Sequence, residues 1–144
     1  MILAVLLAQI LAPCSPALDA LRAEHVRGAE LLARGAVCAD VVVTAHSHGV
    51  DPRMAVAVAF YESRMRRGAE SGVGAVGPMQ VIPRYWCPGG RAEGCDLVAA
   101  GMRALAEYTT RYGTEEGLAR YNAGNRPGPR AWEYARRVLR WEML

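Results

Sequence analysis

The fold class of this chain is set by the stretch VDPRMAVAVAFYE, residues 50–62. Asp51 suits a helix N-cap and Pro52 suits the first helical position, because its missing N–H has no partner there in any case. Gly49, just before them, suits the left-handed stop of a preceding helix. The alternating alanines and valines could also fit a strand, but the cap and the alanine content favour a helix from Pro52 to about Arg64.

Glu62 closes the apolar run Met54–Tyr61 and stands ahead of the glycine-rich residues 71–80. An acidic side chain at the end of such a run is expected to be partly withdrawn from water, which raises its pKa and keeps it protonated near neutral pH. A protonated carboxyl is the form that a general acid needs. The alternative is a solvated glutamate, or one paired with an arginine at position 64, 66 or 67.

Helical periodicity dominates the rest of the chain. It predicts further helices at Leu18–Ala33 (ended by Gly35), Ala36–His48, Asp96–Tyr112, Glu115–Asn122 and Arg130–Trp141. Gly68–Gly77 contains too much glycine for a helix and predicts a loop or a short irregular sheet, and Asn125–Pro129 predicts a turn. The predicted fold class is mostly α, in one compact helical domain, because 144 residues enclose a single modest core.

Charge and histidine content argue against two classes of ligand. The net charge is +3, and all 17 basic residues are arginines scattered along the chain, which supports nucleic-acid binding only weakly. A mildly basic surface suits an anionic cell-envelope polymer equally well. His46 and His48 are two residues apart and cannot share one helical face, so no metal pair is predicted.

The first residues, Met1–Ala12, form an apolar run that only Gln9 interrupts. The run is short for a bilayer span, but its length suits the hydrophobic region of a secretory signal with cleavage after Ala17. This divides the chain into an apolar segment, 1–17, and a domain, 18–144. Two alternatives stay open, because no basic residue precedes the run and two prolines crowd the cleavage site. They are a lipoprotein box ending at Cys14 and an N-terminal helix docked on the domain.

The four cysteines, Cys14, Cys38, Cys87 and Cys95, admit three pairings. Cys87 with Cys95 is the favoured pair because the two bracket a loop, residues 88–94, that has little other means of rigidity. A disulfide there requires an oxidising compartment. Cleavage after Ala17 would leave Cys38 unpaired, so the secretory interpretation and the cysteine count conflict.

Three separated motifs, YESRM (61–65), SGVGAVGPMQ (71–80) and ARYNAG (119–124), together resemble the soluble lytic transglycosylase family, which has a lysozyme-like fold. The resemblance also includes Pro83, the DLVAAG stretch (96–101) and Tyr134, and it covers roughly Val50–Val138. Pro78 departs from the pattern, since the family often has leucine there.

The resemblance implies cleavage of the β-1,4 bond between N-acetylmuramic acid and N-acetylglucosamine in peptidoglycan without addition of water. It implies that Glu62 first protonates the glycosidic oxygen and then, as a carboxylate, takes the proton of the C6 hydroxyl to leave a 1,6-anhydro sugar. Glycosidases usually need two carboxylates. Only Glu70 lies between Glu62 and the end of the second motif, and we expect Glu70 to be solvated, so one acid used twice is the economical interpretation.

We predict the substrate-binding residues from this resemblance and from the chemistry of their side chains. Gly77 lets the backbone approach a sugar, Met79 offers an apolar surface, Gln80 bonds ring substituents, and Asn122 orients the acetamido group. Ser63 and Ser71 are candidates to hold the acetamido group or the leaving oxygen, and Tyr121 and Tyr134 to bond the carboxyl of Glu62.

The predicted partners are peptidoglycan glycan strands, with components of a secretion, conjugation or phage-like apparatus as a further candidate and with no nucleic acid or nucleotide. No cofactor and no metal are expected. The predicted location is periplasmic or otherwise extracytoplasmic, with association with a virion or similar particle as a variant. Two alternatives remain: a goose-type lysozyme that hydrolyses the same bond, and a non-catalytic wall-binding assembly protein.

Overall fold

The computed structural model describes residues 1–142, with side chains to Trp141. The prediction of a mostly helical domain is confirmed. The helices are α1 (Ile2–Leu11), α2 (Ser15–Ala23), α3 (Gly28–Ser47), α4 (Pro52–Ser63), the single turn α5 (Pro83–Trp86), α6 (Leu97–Tyr112), α7 (Thr114–Ala123) and α8 (Pro129–Glu142). Two short 3-10 turns, Ala12–Cys14 and Pro88–Gly90, accompany them.

Helix α4 is the centre of the core. Every residue from Met54 to Phe60 is buried, and the helix packs between α3 and α8. A helix that is apolar on all sides can only be stable inside a protein or a membrane, which explains this central place. The Asp51 side chain accepts a hydrogen bond from the Arg53 backbone N–H at 2.9 Å, as the cap prediction requires, and Arg64 ends the helix with a left-handed φ of 53°.

The predicted stop at Gly35 is wrong. Helix α3 runs unbroken through that glycine, and the chain turns earlier, between α2 and α3, where His25 adopts a φ of 67°. One glycine inside a helix costs about 1 kcal/mol. Burial of the apolar α3 residues Val37, Val41 and Val42 outweighs that cost.

The glycine-rich segment forms a loop with two isolated β-bridges, which agrees with the loop or short irregular sheet that the sequence predicts. Val76 makes isolated antiparallel bridges to Glu70 on one side and to Val81 on the other. Gly77, with φ of 80°, and Gln80, with φ of 51°, turn the chain between Val76 and Val81. The segment is thereby folded back as a compact loop beside α4 and α6.

Glycines let α6 approach its neighbours closely. A Cβ on Gly101 of α6 would lie 2.5 Å from the Cβ of Met79, and a Cβ on Gly117 of α7 would lie 2.6 Å from the Cα of Thr109. Real Cβ atoms do not approach so closely, so both positions need glycine. These contacts seat the loop on α6, and α7 then packs on both α6 and α8.

Two disulfides join the four cysteines. One is the predicted Cys87–Cys95 bridge, and the other joins Cys14 to Cys38 of α3. Cys14 and Ala17 are buried in the main core, which therefore includes residues ahead of Leu18. Helix α1, in contrast, has no buried residue. The stretch Ile2–Ala23 is long and apolar enough to cross a membrane by length and composition alone, a criterion that signal sequences also meet.

Candidate active site

A cleft of about 420 Å³ opens between the glycine-rich loop and helices α5, α6 and α7, with Glu62 in its wall. The loop and the chain after it, including α5, contribute Ser71, Val73, Ala75, Gln80, Val81, Ile82, Tyr85 and Trp86. Helix α6 contributes Ala104 and Tyr108, and α7 with its C-cap contributes residues 120–124. Besides Glu62, four of the residues predicted for the site line this cleft: Ser71, Gln80, Tyr121 and Asn122.

Glu62 has the character that the sequence predicts. Burial raises the pKa of its carboxyl from 4.5 to about 7, and the nearby Tyr134 hydroxyl offsets a part of that rise. The alternative of an ion pair is wrong, because Arg64 pairs with Glu24 and Arg67 with Asp40, while Arg66 donates to the Ser63 carbonyl. Glu62 therefore holds a proton at mildly acidic to neutral pH, and no cationic side chain of the described residues pairs with its charged form.

Tyr134 of α8 lies against the Glu62 carboxyl. Burial first, and then the charge of Glu62, raise the pKa of Tyr134 well above its ordinary value, so its hydroxyl stays protonated. That hydroxyl is buried and completes no hydrogen bond of normal geometry with any described residue. The two groups are thus close enough to influence each other, but their hydrogen bond is not closed in the free protein, as is common for catalytic pairs without substrate.

Tyr121 has a different partner from the one predicted. Its hydroxyl donates to the backbone carbonyl of Met79 at 2.5 Å, so its single proton is unavailable to Glu62. Burial, followed by the charge of Glu62, raises the pKa of Tyr121 well above its ordinary value. This residue fastens the glycine-rich loop to α7 and fixes the wall of the cleft next to Glu62.

Gln80 serves both the loop and the cleft. Its side-chain Nε2 donates to the carbonyls of Ala69 at 3.0 Å and Gly77 at 2.9 Å, which uses both of its N–H groups. The Oε1 atom makes no hydrogen bond within the described residues. Gln80 can therefore accept a hydrogen bond from a ligand hydroxyl or amide, but it has no N–H left to donate.

Of the two predicted serines, Ser71 is the one that lines the cleft. Its Oγ accepts hydrogen bonds from the backbone N–H of Ala75 at 3.1 Å and, more weakly, of Val73 at 3.4 Å. Both contacts use the oxygen as acceptor, so the hydroxyl proton remains available to a ligand. Asn122 is exposed at the opposite wall and has donor and acceptor groups to offer.

Four predicted substrate-binding residues do not line the cleft, and one of them is Tyr134, which lies against the Glu62 carboxyl instead. Ser63 is buried, donates to the Ala59 carbonyl at 3.1 Å and accepts from the Arg66 N–H at 3.2 Å, so it closes the end of α4. Met79 is fully buried against Gly101, and Gly77 faces Leu97 at a distance that leaves no room for a Cβ. Ser63 therefore shapes the end of α4, and Gly77 and Met79 shape the loop.

Several residues that the sequence analysis did not select also line the cleft. Tyr85 is 70% exposed at its edge, and the Trp86 ring lies 6.0 Å from the ring of Tyr108. Exposed aromatic faces of this kind suit the apolar faces of sugar rings. The signal that could have found them was the adjacent aromatic pair, Tyr85 and Trp86, shortly after Pro83.

Glu62 is the only carboxylate that lines this cleft among the described residues, and Glu70 is exposed elsewhere on the loop. A mostly helical domain with a single shielded carboxyl in an aromatic-edged cleft fits the class of lysozyme-like domains. The chain belongs to the transglycosylase SLT domain family, whose model matches residues 42–144. No solved structure matches the chain. Membership of this family supports lytic transglycosylase activity on peptidoglycan and a place of action at the cell wall.

Proposed function

We propose that this protein cleaves the β-1,4 bond between N-acetylmuramic acid and N-acetylglucosamine and forms 1,6-anhydro-muramic acid ends. The observation that carries the proposal is the Glu62 carboxyl, whose pKa of about 7 makes it both an acid and, after one proton transfer, a base near neutral pH. No other carboxylate of the described chain lines the cleft to act as nucleophile or as a separate base.

In the first step, protonated Glu62 gives its proton to the oxygen of the glycosidic bond. The bond from the muramic acid C1 to that oxygen breaks, and N-acetylglucosamine leaves as an alcohol. The substrate's own 2-acetamido oxygen stabilises the electron-poor C1. In the second step, the Glu62 carboxylate removes the proton of the muramic acid C6 hydroxyl, and the new bond from O6 to C1 closes the anhydro ring. Glu62 is again protonated, and no water enters the products.

The protein's other side chains bind and orient the substrate. The Ser71 hydroxyl, the Gln80 Oε1 atom and the Asn122 amide offer hydrogen bonds to hydroxyl and acetamido groups on two walls of the cleft. Tyr85 and Trp86 provide apolar faces for sugar rings. Tyr134 donates to the Glu62 carboxylate after the first proton transfer, when the negative charge makes this hydrogen bond strongest.

The test is the chemistry of the products. Purified peptidoglycan is digested with the protein, and the released fragments are analysed by mass spectrometry. Anhydro ends, which are lighter by one water than reducing ends, are the expected result. Reducing muramic acid alone would show a hydrolase of the goose-lysozyme type. Release of no fragments by a folded wild-type protein that still binds the peptidoglycan would support the wall-binding alternative.

We also propose that the protein works outside the cytoplasm and that its folded domain begins at Cys14. The two disulfides support an oxidising compartment, and the apolar helix α1 fits a signal sequence. Cleavage after Ala17 would remove Cys14 and a buried alanine from the core. Lipid attachment at Cys14 would occupy the sulfur that bonds Cys38. Intact-mass analysis of the exported protein tests this proposal, since a mature chain that lacks Cys14 would contradict it.

The secretion, conjugation or phage-like apparatus that the activity would serve stays a prediction from sequence.

A further inference from the structure

A second cavity, of about 440 Å³, lies along the first half of α8. It is lined by Pro129, Arg130, Glu133, Tyr134 and Arg137. Tyr134 is shared between this cavity and the surroundings of Glu62, because its side chain lines the cavity while its hydroxyl lies against the Glu62 carboxyl. The cavity is therefore next to the catalytic group, on the side that α8 covers.

The charge of this cavity is positive. Glu133 is held by Arg140 at 3.3 Å and by Arg136 at 3.7 Å. Arg130 and Arg137 are exposed and form no ion pair with any described residue. The Arg137 guanidinium lies 5.0 Å from the centre of the Tyr61 ring, a contact that orients it and leaves its N–H groups without a carboxylate partner.

The catalytic cleft has no comparable charge. Among residues 1–141, the only cationic side chain that lines it is Arg120, which pairs with Glu116 at 2.9 Å and donates to the Asn125 carbonyl at 3.1 Å. The cleft thus suits uncharged sugars, and the cationic groups that lack partners lie in the cavity beyond Tyr134. This separation matches a substrate whose glycan is largely neutral and whose side branches are anionic.

We propose that Arg130 and Arg137 bind a carboxylate of the stem peptide attached to the muramic acid in the cleft. This inference rests on the proposed function, because the lactyl group of muramic acid carries an acidic peptide in intact peptidoglycan. Guanidinium groups recognise carboxylates through paired, charge-assisted hydrogen bonds. The protein would then distinguish peptide-bearing strands from bare glycan.

The experiment compares two substrates: intact peptidoglycan, and glycan strands from which an amidase has removed the stem peptides. Arg130→Gln and Arg137→Gln are each expected to raise KM roughly tenfold on intact peptidoglycan, the size of one charge-assisted hydrogen bond, and to leave KM on bare strands unchanged. Arg53→Gln on α4 is the matched control, since Arg53 is exposed, forms no ion pair with any described residue and lines neither the cleft nor the cavity. It should change neither value.

A binding measurement keeps the inference separate from the proposed chemistry. The stem peptides released by the amidase are titrated into the Glu62→Gln protein, with and without Arg130→Gln and Arg137→Gln together. Saturable, salt-sensitive binding that the double substitution weakens at least tenfold would support the inference even if wild-type products prove to be hydrolytic. Equal losses on both substrates, no loss on either, or equal peptide binding by both proteins would overturn it.

Discussion

Replacing Glu62 by glutamine should stabilise the folded protein at alkaline pH. The unfolded chain exposes this carboxyl, which then ionises near 4.5, whereas burial raises its pKa in the folded protein to about 7. The folded state therefore holds a proton more tightly than the unfolded state. The stabilising effect is complete below pH 4.5 and is lost as the pH rises to about 7.

The size of this effect follows from the two pKa values. Each pH unit between them corresponds to about 1.4 kcal/mol, so the total is about 3 kcal/mol of unfolding free energy. Glutamine is nearly isosteric and neutral at every pH. The Glu62→Gln protein should therefore be close to the wild type in stability at pH 4.5 and about 3 kcal/mol more stable than the wild type at pH 8.

Urea unfolding with both disulfides intact, measured at half-unit steps from pH 4.5 to 8.5, tests this prediction. The quantity of interest is the difference between the two proteins at each pH, because all other titrating groups cancel in it. Glu70→Gln is the control, since it makes the same chemical change at an exposed position outside the cleft. A difference that does not change with pH, or that shrinks as the pH rises, would refute a shielded, proton-holding Glu62.

Three further predictions concern the site and its support. Wall lysis should fall as the pH rises above about 7, because the first step needs protonated Glu62, and a pH-rate profile with no such limb would contradict this role. Tyr134→Phe removes a hydroxyl that lowers the pKa of Glu62, so the alkaline limb of the same profile should move to higher pH while turnover falls. Gly101→Ala should lower the unfolding free energy by about 1–3 kcal/mol through collision with Met79, whereas Gly68→Ala, where a Cβ would meet nothing within 4 Å, should change it little in the same urea titration.

The sequence predicted most helices because their signals are local. Caps, glycine stops and apolar periodicity depend on residues within a few positions of each other. Helix α4 begins with the predicted Asp51 cap, and α6 begins within one residue of its predicted start, with Asp96 as its cap. The predicted stop at Gly35 is wrong because the burial of the apolar residues of α3 decides whether that helix continues. No local pattern reports such a tertiary contact, nor did any mark the left-handed turn at His25.

The sequence predicted which types of residue form the site better than it predicted which side chains point into the cleft. Glu62, Ser71 and Gln80 lie at the cleft, but Ser63 and Met79 from the same motifs point into the core. In a helix or strand, spacing along the chain fixes the side to which a residue points. That rule fails between Gly77 and Gln80, where positive φ values at both residues reverse the chain. A motif in such a loop therefore identifies the family without separating residues that touch the ligand from residues that shape the loop.

The same residues that make α4 a core helix also give Glu62 its chemistry. An apolar helix buried on all sides carries its final turn into the interior, so a carboxyl placed there loses water without any dedicated pocket. Tyr134 and Tyr121 then close the remaining sides, one against the carboxyl and one against the loop that forms the opposite wall. Because desolvation arises from the core itself, a substitution that loosens the packing of α4 against α8 should lower the pKa of Glu62 as well as the stability. Activity near neutral pH would therefore decline before the protein unfolds, since the acid would be ionised in a structure that is still folded.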